Sequence, residues 1–284
     1  MPENFGFAEG YNQAIRTIPC KYALLLNSDV EVSEGWLEPL YQCLKQQPKV
    51  AACQPKLLSY NEPRKFEYAG AAGGFLDTYG YPFCRGRIFD EMENDGGQYD
   101  DEIEIFWATG ACMLISRDLF LKSGGFDGDF FAHMEEVDLC WRLKNMGYSV
   151  KYIPRSIVYH VGGGTLDAQN PQKTFLNFRN NRLMIFKNAD SSQILKINII
   201  RNLLDLTAIL MALIRFRFAE AWAIVRAQIA YRKWLGRYIH KRSRIADIAD
   251  QIRIGPPNTK GRYPKSIVFT YFVNRRKKFS QLSW

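Results

Sequence analysis

Between residues 22 and 53 the chain alternates a short apolar run, a helical period and a second apolar run, and this rhythm restricts it to an α/β architecture. Tyr22-Ala23-Leu24-Leu25-Leu26 is uniformly apolar and stops at Asn27-Ser28-Asp29. That is the pattern of a buried strand delivering Asp29 to a loop at its C-terminal end. Ser33 is placed to cap a helix in which Trp36, Leu37, Leu40, Tyr41 and Leu44 recur at helical spacing until Pro48. Val50-Ala51-Ala52-Cys53 follows as another strand, so the expectation is a mixed, mostly parallel sheet. With 284 residues, 47% of them hydrophobic, the chain can bury a core and needs at most one large domain with an appendage.

Downstream the same reading continues with gaps. Residues 60–102 are rich in Gly, Pro and acids, and read as a solvated surface loop or else as a loop bordering a substrate site. The run from Ile105 to Ile115 is apolar with Gly110 inside it, the mark of a strand that something approaches closely. A helix is expected from about Glu135 to Met146. Two short strands, 150–154 and 156–160, then lead to Gly162-Gly163-Gly164.

The charge is unevenly spread. Residues 1–172 carry a net −9 and residues 173–284 a net +18, which divides the chain into an acidic α/β region and a basic, helical region. An anionic partner is implied for the basic region, either nucleic acid or a membrane surface. Ile194 to Ile214 contains Lys196, Arg201 and Asp205 and reads as too charged and too short of uncharged sequence to cross a bilayer, which needs about 20 mainly apolar residues. Arginines interleaved with Trp222, Ile224, Val225 and Ile229 suggest instead helices lying on a membrane interface. No nucleic-acid recognition module is visible, so nucleic acid is the weaker partner. Six cysteines without a Cys-x-x-Cys pair, and no secretory signal at Met1-Pro2-Glu3-Asn4, point to reduced thiols in the cytoplasm.

Three groups carry chemistry. Asp29 at a strand end suits a divalent cation shared with a diphosphate, although Asn-x-Asp also serves as an ordinary turn. In Glu135-Glu136-Val137-Asp138-Leu139-Cys140-Trp141-Arg142, the residues Glu135, Asp138 and Arg142 share one helix face and Glu136 points elsewhere. An ordinary carboxyl pKa of about 4.3 would leave Glu136 ionised at neutral pH and able to act as a general base. His160 precedes the three glycines, and with only three His in the chain no His-x-x-x-His zinc site can be drawn.

These pieces occur in a familiar order. Asn4-Phe5-Gly6-Phe7-Ala8-Glu9-Gly10-Tyr11-Asn12, Leu24 to Asp29, Trp36-Leu37-Glu38, Thr109 to Ile115, Gly124-Gly125-Phe126-Asp127, Phe130-Phe131 through Arg142, and Tyr159 to Gly164 together resemble the family 2 glycosyltransferases, in particular the bacterial rhamnosyltransferase-like branch. The resemblance implies a GT-A fold, a nucleotide-diphosphate sugar donor, a divalent cation (Mg or Mn) and inversion at the anomeric carbon. It assigns the metal to Asp29 and His160 and the base role to Glu136, where relatives usually carry Asp. Gly110 and Ala111 fall on the sugar-lining segment. Asn27, standing where the metal motif's first acid often does, is a donor- or acceptor-binding candidate with Glu135, Asp138, Trp141 and Arg142.

The resemblance also carries an expectation about completeness. The family opens with a strand, a helix and a second strand whose loop grips the base and ribose, and Asn4-Phe5-Gly6 belongs after those elements. The chain therefore reads as a partial GT-A domain over 1–172, N-terminally truncated, with a helical, basic, membrane-surface region over 173–284. Donor binding is expected to be weak or absent. The leading function is transfer of a sugar, rhamnose being one candidate, to a saccharide or lipid-linked acceptor in bacterial surface-polysaccharide synthesis at the inner membrane face. The alternatives are a non-catalytic or decayed relative, or a nucleic-acid-binding protein.

Overall fold

Side chains of the first strand alternate between the core and the flank, as a strand at the border of a covered sheet requires. In the computed structural model, which describes residues 5–162 and 170–284, α1 (Gly6–Thr17) leads into β1 (Tyr22–Leu26), with Ala23 and Leu25 buried. A turn closed by the Val30 N–H on the Asn27 carbonyl (3.3 Å) reverses the chain into β2 (Val30–Val32). Then come α2 (Leu37–Gln46) and β3 (Val50–Ser59), the latter buried along nearly its whole length, as a strand covered on both faces must be.

Residues 60–102 are not a solvated loop. They form a second sheet from β4 (Gly74–Asp77), β5 (Pro82–Cys84), β6 (Arg87–Ile88) and β7 (Glu91–Met92). Phe66, Phe75, Leu76, Phe83 and Ile88 are buried, so aromatic packing outweighs the acidic, glycine-rich appearance of the segment. Gly74 is required by packing: a Cβ there would lie 2.2 Å from the Trp107 ring.

The apolar run at 105–115 is interrupted. β8 (Ile103–Ile105) ends, a buried loop follows, and β9 (Cys112–Ser116) begins after Gly110. Next are α3 (Arg117–Lys122), α4 (Glu135–Asn145) and β10 (Ser149–His160). β10 is one strand where two were expected. Its pairing with β3 shifts register between Ile153 and Ile157, a bulge that accommodates Pro154, which has no N–H to donate.

The main sheet runs β1-β9-β3-β10-β2, with β8 also on β10. It is mixed, but only the β3–β10 pair is parallel. β1, β3 and β10 do share one direction. β9 enters between β1 and β3 from a loop, without a helical crossover, and so runs antiparallel to both.

The C-terminal region is helical, with α5 (Pro171–Asn188), α6 (Ser191–Ile214) and α7 (Phe218–Ile252), followed by β11 (Arg262–Tyr263) and α8 (Ile267–Phe272). α6 is longer than its charges suggested: 24 residues, with an 18-residue stretch of mean hydropathy 1.7, enough by length and composition to cross a membrane. Arg201 and Asp205 do not interrupt it because they turn inward, buried, where Asp205 pairs with Arg182 at 3.3 Å and with Arg201 at 3.7 Å. The opposite face exposes Leu195, Ile199, Leu203, Leu206 and Leu210. Residue 172 is not a boundary between separate bodies: β11 adds to the second sheet beside β4, and Trp284 packs on Phe75 and Tyr263 at 5.3 Å.

Candidate active site

Asp29 lies where β1 hands over to β2, and antiparallel pairing of β2 with β10 sets Val30 opposite His160. The Val161 N–H donates to the Asp29 carbonyl (3.0 Å), and the Asn27 N–H donates to Ala111 O (3.0 Å), so the loop is fixed from both neighbours. Asp29 Oδ1 then stands 3.2 Å from Nε2 of the buried His160. On the other side of the ring, Glu67 Oε2 is 3.2 Å from Nδ1. Burial pulls the His160 pKa down, but Glu67 and Asp29 outweigh it and raise it above the usual imidazole value.

The row Asp29–His160–Glu67 fits a divalent cation. Two neighbouring ligands on an ion with bonds of about 2.1 Å sit roughly 3 Å apart, the spacing of Oδ1 and Nε2 here. A carboxylate on Nδ1 would hold that proton and leave the Nε2 lone pair toward the metal. Among the described residues no group of three His, Cys, Asp or Glu surrounds one point. The protein thus offers Asp29 and His160, and the remaining ligands would be oxygens of a bound diphosphate and water. Gly163 and Gly164 lie outside the described residues.

His160 and Glu67 line a cavity of about 900 Å³ whose wall also includes Glu136, Thr109, Trp107 and His133. Glu136 is presented by the first turn of α4. Its Oε2 is buried without a hydrogen-bond partner, and burial pushes the carboxyl up to about 7, against the pull of the Glu136 and Val137 backbone N–H groups. This corrects the expectation of an ordinary, fully ionised Glu at neutral pH. His133 Nε2 is likewise buried and unpartnered; burial, then the charge of Lys173, brings its pKa down to about 4.

The other residues marked on α4 face the interior. Glu135 is buried beside Glu136, and burial raises its carboxyl well above the usual range. Asp138 accepts from Arg142 (3.0 Å) and Asn188 (2.7 Å) and pairs with Lys187 (2.9 Å). Arg142 also donates to the carbonyls of Ser123 (2.5 Å) and Gly125 (2.6 Å). Trp141 packs edge-on against Phe106. The i, i+3, i+7 face is therefore the anchoring face of α4, and Glu136 alone of the acids marked there reaches the cavity. Gly110 and Ala111 are buried, with the Gly110 Cα side against Phe7. Glu67 and His133 were not marked by sequence, since each lies in a segment without periodicity.

Residues 1–124 match the family described as Glycosyl transferase family 2. N-acetylglucosaminyl-diphospho-decaprenol L-rhamnosyltransferase of Mycobacterium tuberculosis (strain CDC 1551 / Oshkosh) is 27% identical over 146 residues, 49% of this chain and 46% of that protein. Rhamnosyltransferase WbbL of Escherichia coli (strain K12) is 34% identical over 62 residues, 22% of this chain and 23% of that protein. The crystal structure of GalNAc-T7 with UDP, GalNAc and Mn2+ overlaps 66% of this chain and 35% of its own, at 12% identity and a TM-score of 0.47. The chain spans about half the length of the Mycobacterium relative. The segment that carries Asp29 and Glu67 is thus similar to the family 2 glycosyltransferases, and about half of the chain aligns with a rhamnosyltransferase.

Proposed function

We propose that the cavity between Asp29–His160 and Glu136 is the transfer site of an inverting glycosyltransferase of GT-A type, acting on a nucleotide-diphosphate sugar. The observation that carries this reading is that one cavity is lined both by His160, whose Nε2 stands 3.2 Å from Asp29, and by the buried, unpartnered carboxyl of Glu136. Asp29 and His160 would hold a divalent cation, Mg or Mn, which when bound offsets the charge of the leaving diphosphate. Glu136 accepts the proton of an acceptor hydroxyl as its oxygen displaces the diphosphate from the opposite face, which inverts the anomeric centre. A pKa near 7 places this carboxyl where it can both take and release a proton at neutral pH.

The aligned rhamnosyltransferases support a deoxyhexose donor, and the acceptor of the Mycobacterium protein, a sugar on a polyprenyl diphosphate, supports a lipid-linked acceptor in surface-polysaccharide synthesis. The net +18 of residues 173–284 and the exposed apolar face of α6 support attachment to the cytoplasmic face of an anionic membrane. Titration of nucleoside-diphosphate hexoses in the presence of Mn2+ tests the reading. Binding is expected to be weak and, where measurable, to depend on Mn2+ and on Asp29, whereas binding indifferent to both would refute the reading. With a competent donor and acceptor, Glu136→Gln should lower turnover about 10²- to 10⁴-fold while binding persists.

A further inference from the structure

The loop that delivers Glu136 to the cavity is held in an unusual conformation. After a short 3-10 turn at Gly128–Phe130, three non-glycine residues within four positions have positive φ: Phe131 (63°), His133 (70°) and Met134 (73°). Each would relax to a right-handed state unless its surroundings prevented it. Met134 is also the residue from which α4 starts, so its dihedral angles set the direction in which Glu135 and Glu136 leave.

One buried side chain meets this loop from the far side. The Asn180 amide, on α5 and fully buried, donates to the carbonyls of Phe130 (3.0 Å), Ala132 (2.9 Å) and His133 (2.9 Å). Its own oxygen accepts from Arg179 Nε (2.9 Å), which fixes which end of the amide faces the loop. Arg179 adds a bond to the Asp129 carbonyl (3.0 Å), and the Ala8 N–H holds the Phe131 carbonyl from the opposite side (3.2 Å). The carbonyls of the residues that precede the three left-handed positions, Phe130, Ala132 and His133, are turned to one side, and Asn180 sits where they converge. A smaller or apolar residue would take this donor from the Ala132 and His133 carbonyls, while Phe130 would keep the Ala132 N–H (2.7 Å).

We propose that Asn180 is a positioning residue for the general base: its amide locks residues 130–134 in the left-handed turn that aims Glu136 into the cavity and Glu135 into the interior. The proposal rests on the assignment of that cavity as the transfer site. It adds a contribution of the C-terminal region to catalysis that no contact with substrate would reveal.

The test compares Asn180→Leu, which keeps the volume without the donor, with Asn180→Ala. In each folded variant, hydrogen exchange at the amides of residues 131–137 should accelerate by at least about tenfold, with α7 and β3 unchanged. The carboxyl of Glu136, followed by carbon NMR and identified by its loss in Glu136→Gln, should titrate below its value of about 7, because the loosened loop admits water. A packing role alone predicts that Leu is tolerated, so an Asn180→Leu protein with unchanged exchange and unchanged Glu136 titration overturns the proposal. Collapse of the whole fold in both variants also overturns it, since the bonds would then serve the fold and not the loop. Neither measurement requires turnover. If Glu136 moves as expected while nucleotide-sugar binding proves indifferent to both Mn2+ and Asp29, the clamp stands and the functional assignment falls.

Discussion

Asp29, His160 and Glu67 stand in a row, and each end of the imidazole has its own carboxylate. Loss of the carboxylate on Nδ1 leaves the ring free to adopt the wrong tautomer, so Glu67→Gln should weaken Mn2+ binding about 10- to 100-fold, read by calorimetry. Unchanged affinity would remove Glu67 from the site. Glu136 makes a pH-dependent contribution whose sign follows from its raised pKa. Its protonated form is favoured in the folded state, so its contribution to stability is full below the ordinary carboxyl pKa of about 4.3 and is lost as pH rises through about 7. Turnover should show the reverse, rising through about 7 as the base ionises. Glu136→Gln should accordingly raise the melting temperature at pH 8 and leave it nearly unchanged at pH 4. A fall at pH 8 would contradict the burial argument. Asp29, Glu136 and His160 were marked from the sequence, Asp29 and His160 because each ends an apolar strand and Glu136 because it opens a helix, and their roles belong to the proposal above. Glu67 was not legible, because nothing local announces that its partner is a histidine on a distant strand.

At the scale of elements, regular period decided what could be read. β1, α2, β3 and α4 carry either an apolar run or a helical spacing, and all four form, although β3 runs on to Ser59 and α2 starts at Leu37 without a Ser33 cap, the Ser33 hydroxyl donating to Ile157 O instead. The second sheet has strands of two to four residues, too short to display alternation, and its partner β11 arrives from near the other end of the chain. The antiparallel insertion of β9 is likewise invisible to local patterning. α6 shows the opposite failure, where Arg201 and Asp205 were legible as charges but not as an inward-facing pair. Once that pair is buried, the outer face is an uninterrupted apolar stripe. Withdrawal of a leucine side chain from water is worth about 1.5–3 kcal/mol. Leu206→Glu with Leu210→Glu should therefore lower co-flotation with phosphatidylserine vesicles by at least about tenfold, without unfolding, since both residues are exposed. Undiminished flotation would exclude this face as the contact. A salt-sensitive mobility shift with DNA would favour the nucleic-acid alternative.

For the whole molecule, the decisive interactions cross residue 172. Asp127 lies in the acidic region, yet its carboxylate is held by Lys187 of α5 (2.6 Å), by Lys241 of α7 and by the Tyr238 hydroxyl (3.2 Å). Burial pushes the Asp127 carboxyl up, but the two lysines outweigh it and hold it well below the usual carboxylate range. Lys187 also pairs with Asp138 at 2.9 Å, which ties α5 to the helix that carries Glu136. Asp77 in β4, fully buried, accepts from the Ile267 N–H of α8 at 2.9 Å. The opposite charges of the two halves, read from sequence as a sign of separate partners, are thus to some extent complementary to one another. Removing one member of a buried ion pair costs about 3–5 kcal/mol, against a total stability of about 5–15 kcal/mol for an ordinary domain. A polypeptide of residues 1–172 alone would leave Asp127 and Asp138 without Lys187 and the second sheet without β11. It should show no cooperative thermal transition, whereas the full chain should. The full chain should also lose stability as pH falls below about 3.9 and Asp127 is progressively protonated, because a carboxylate with a depressed pKa stabilises the fold only while ionised. Lys187→Met should remove most of that acid sensitivity while lowering stability at neutral pH. A sharp calorimetric transition from residues 1–172 would show that the halves fold independently.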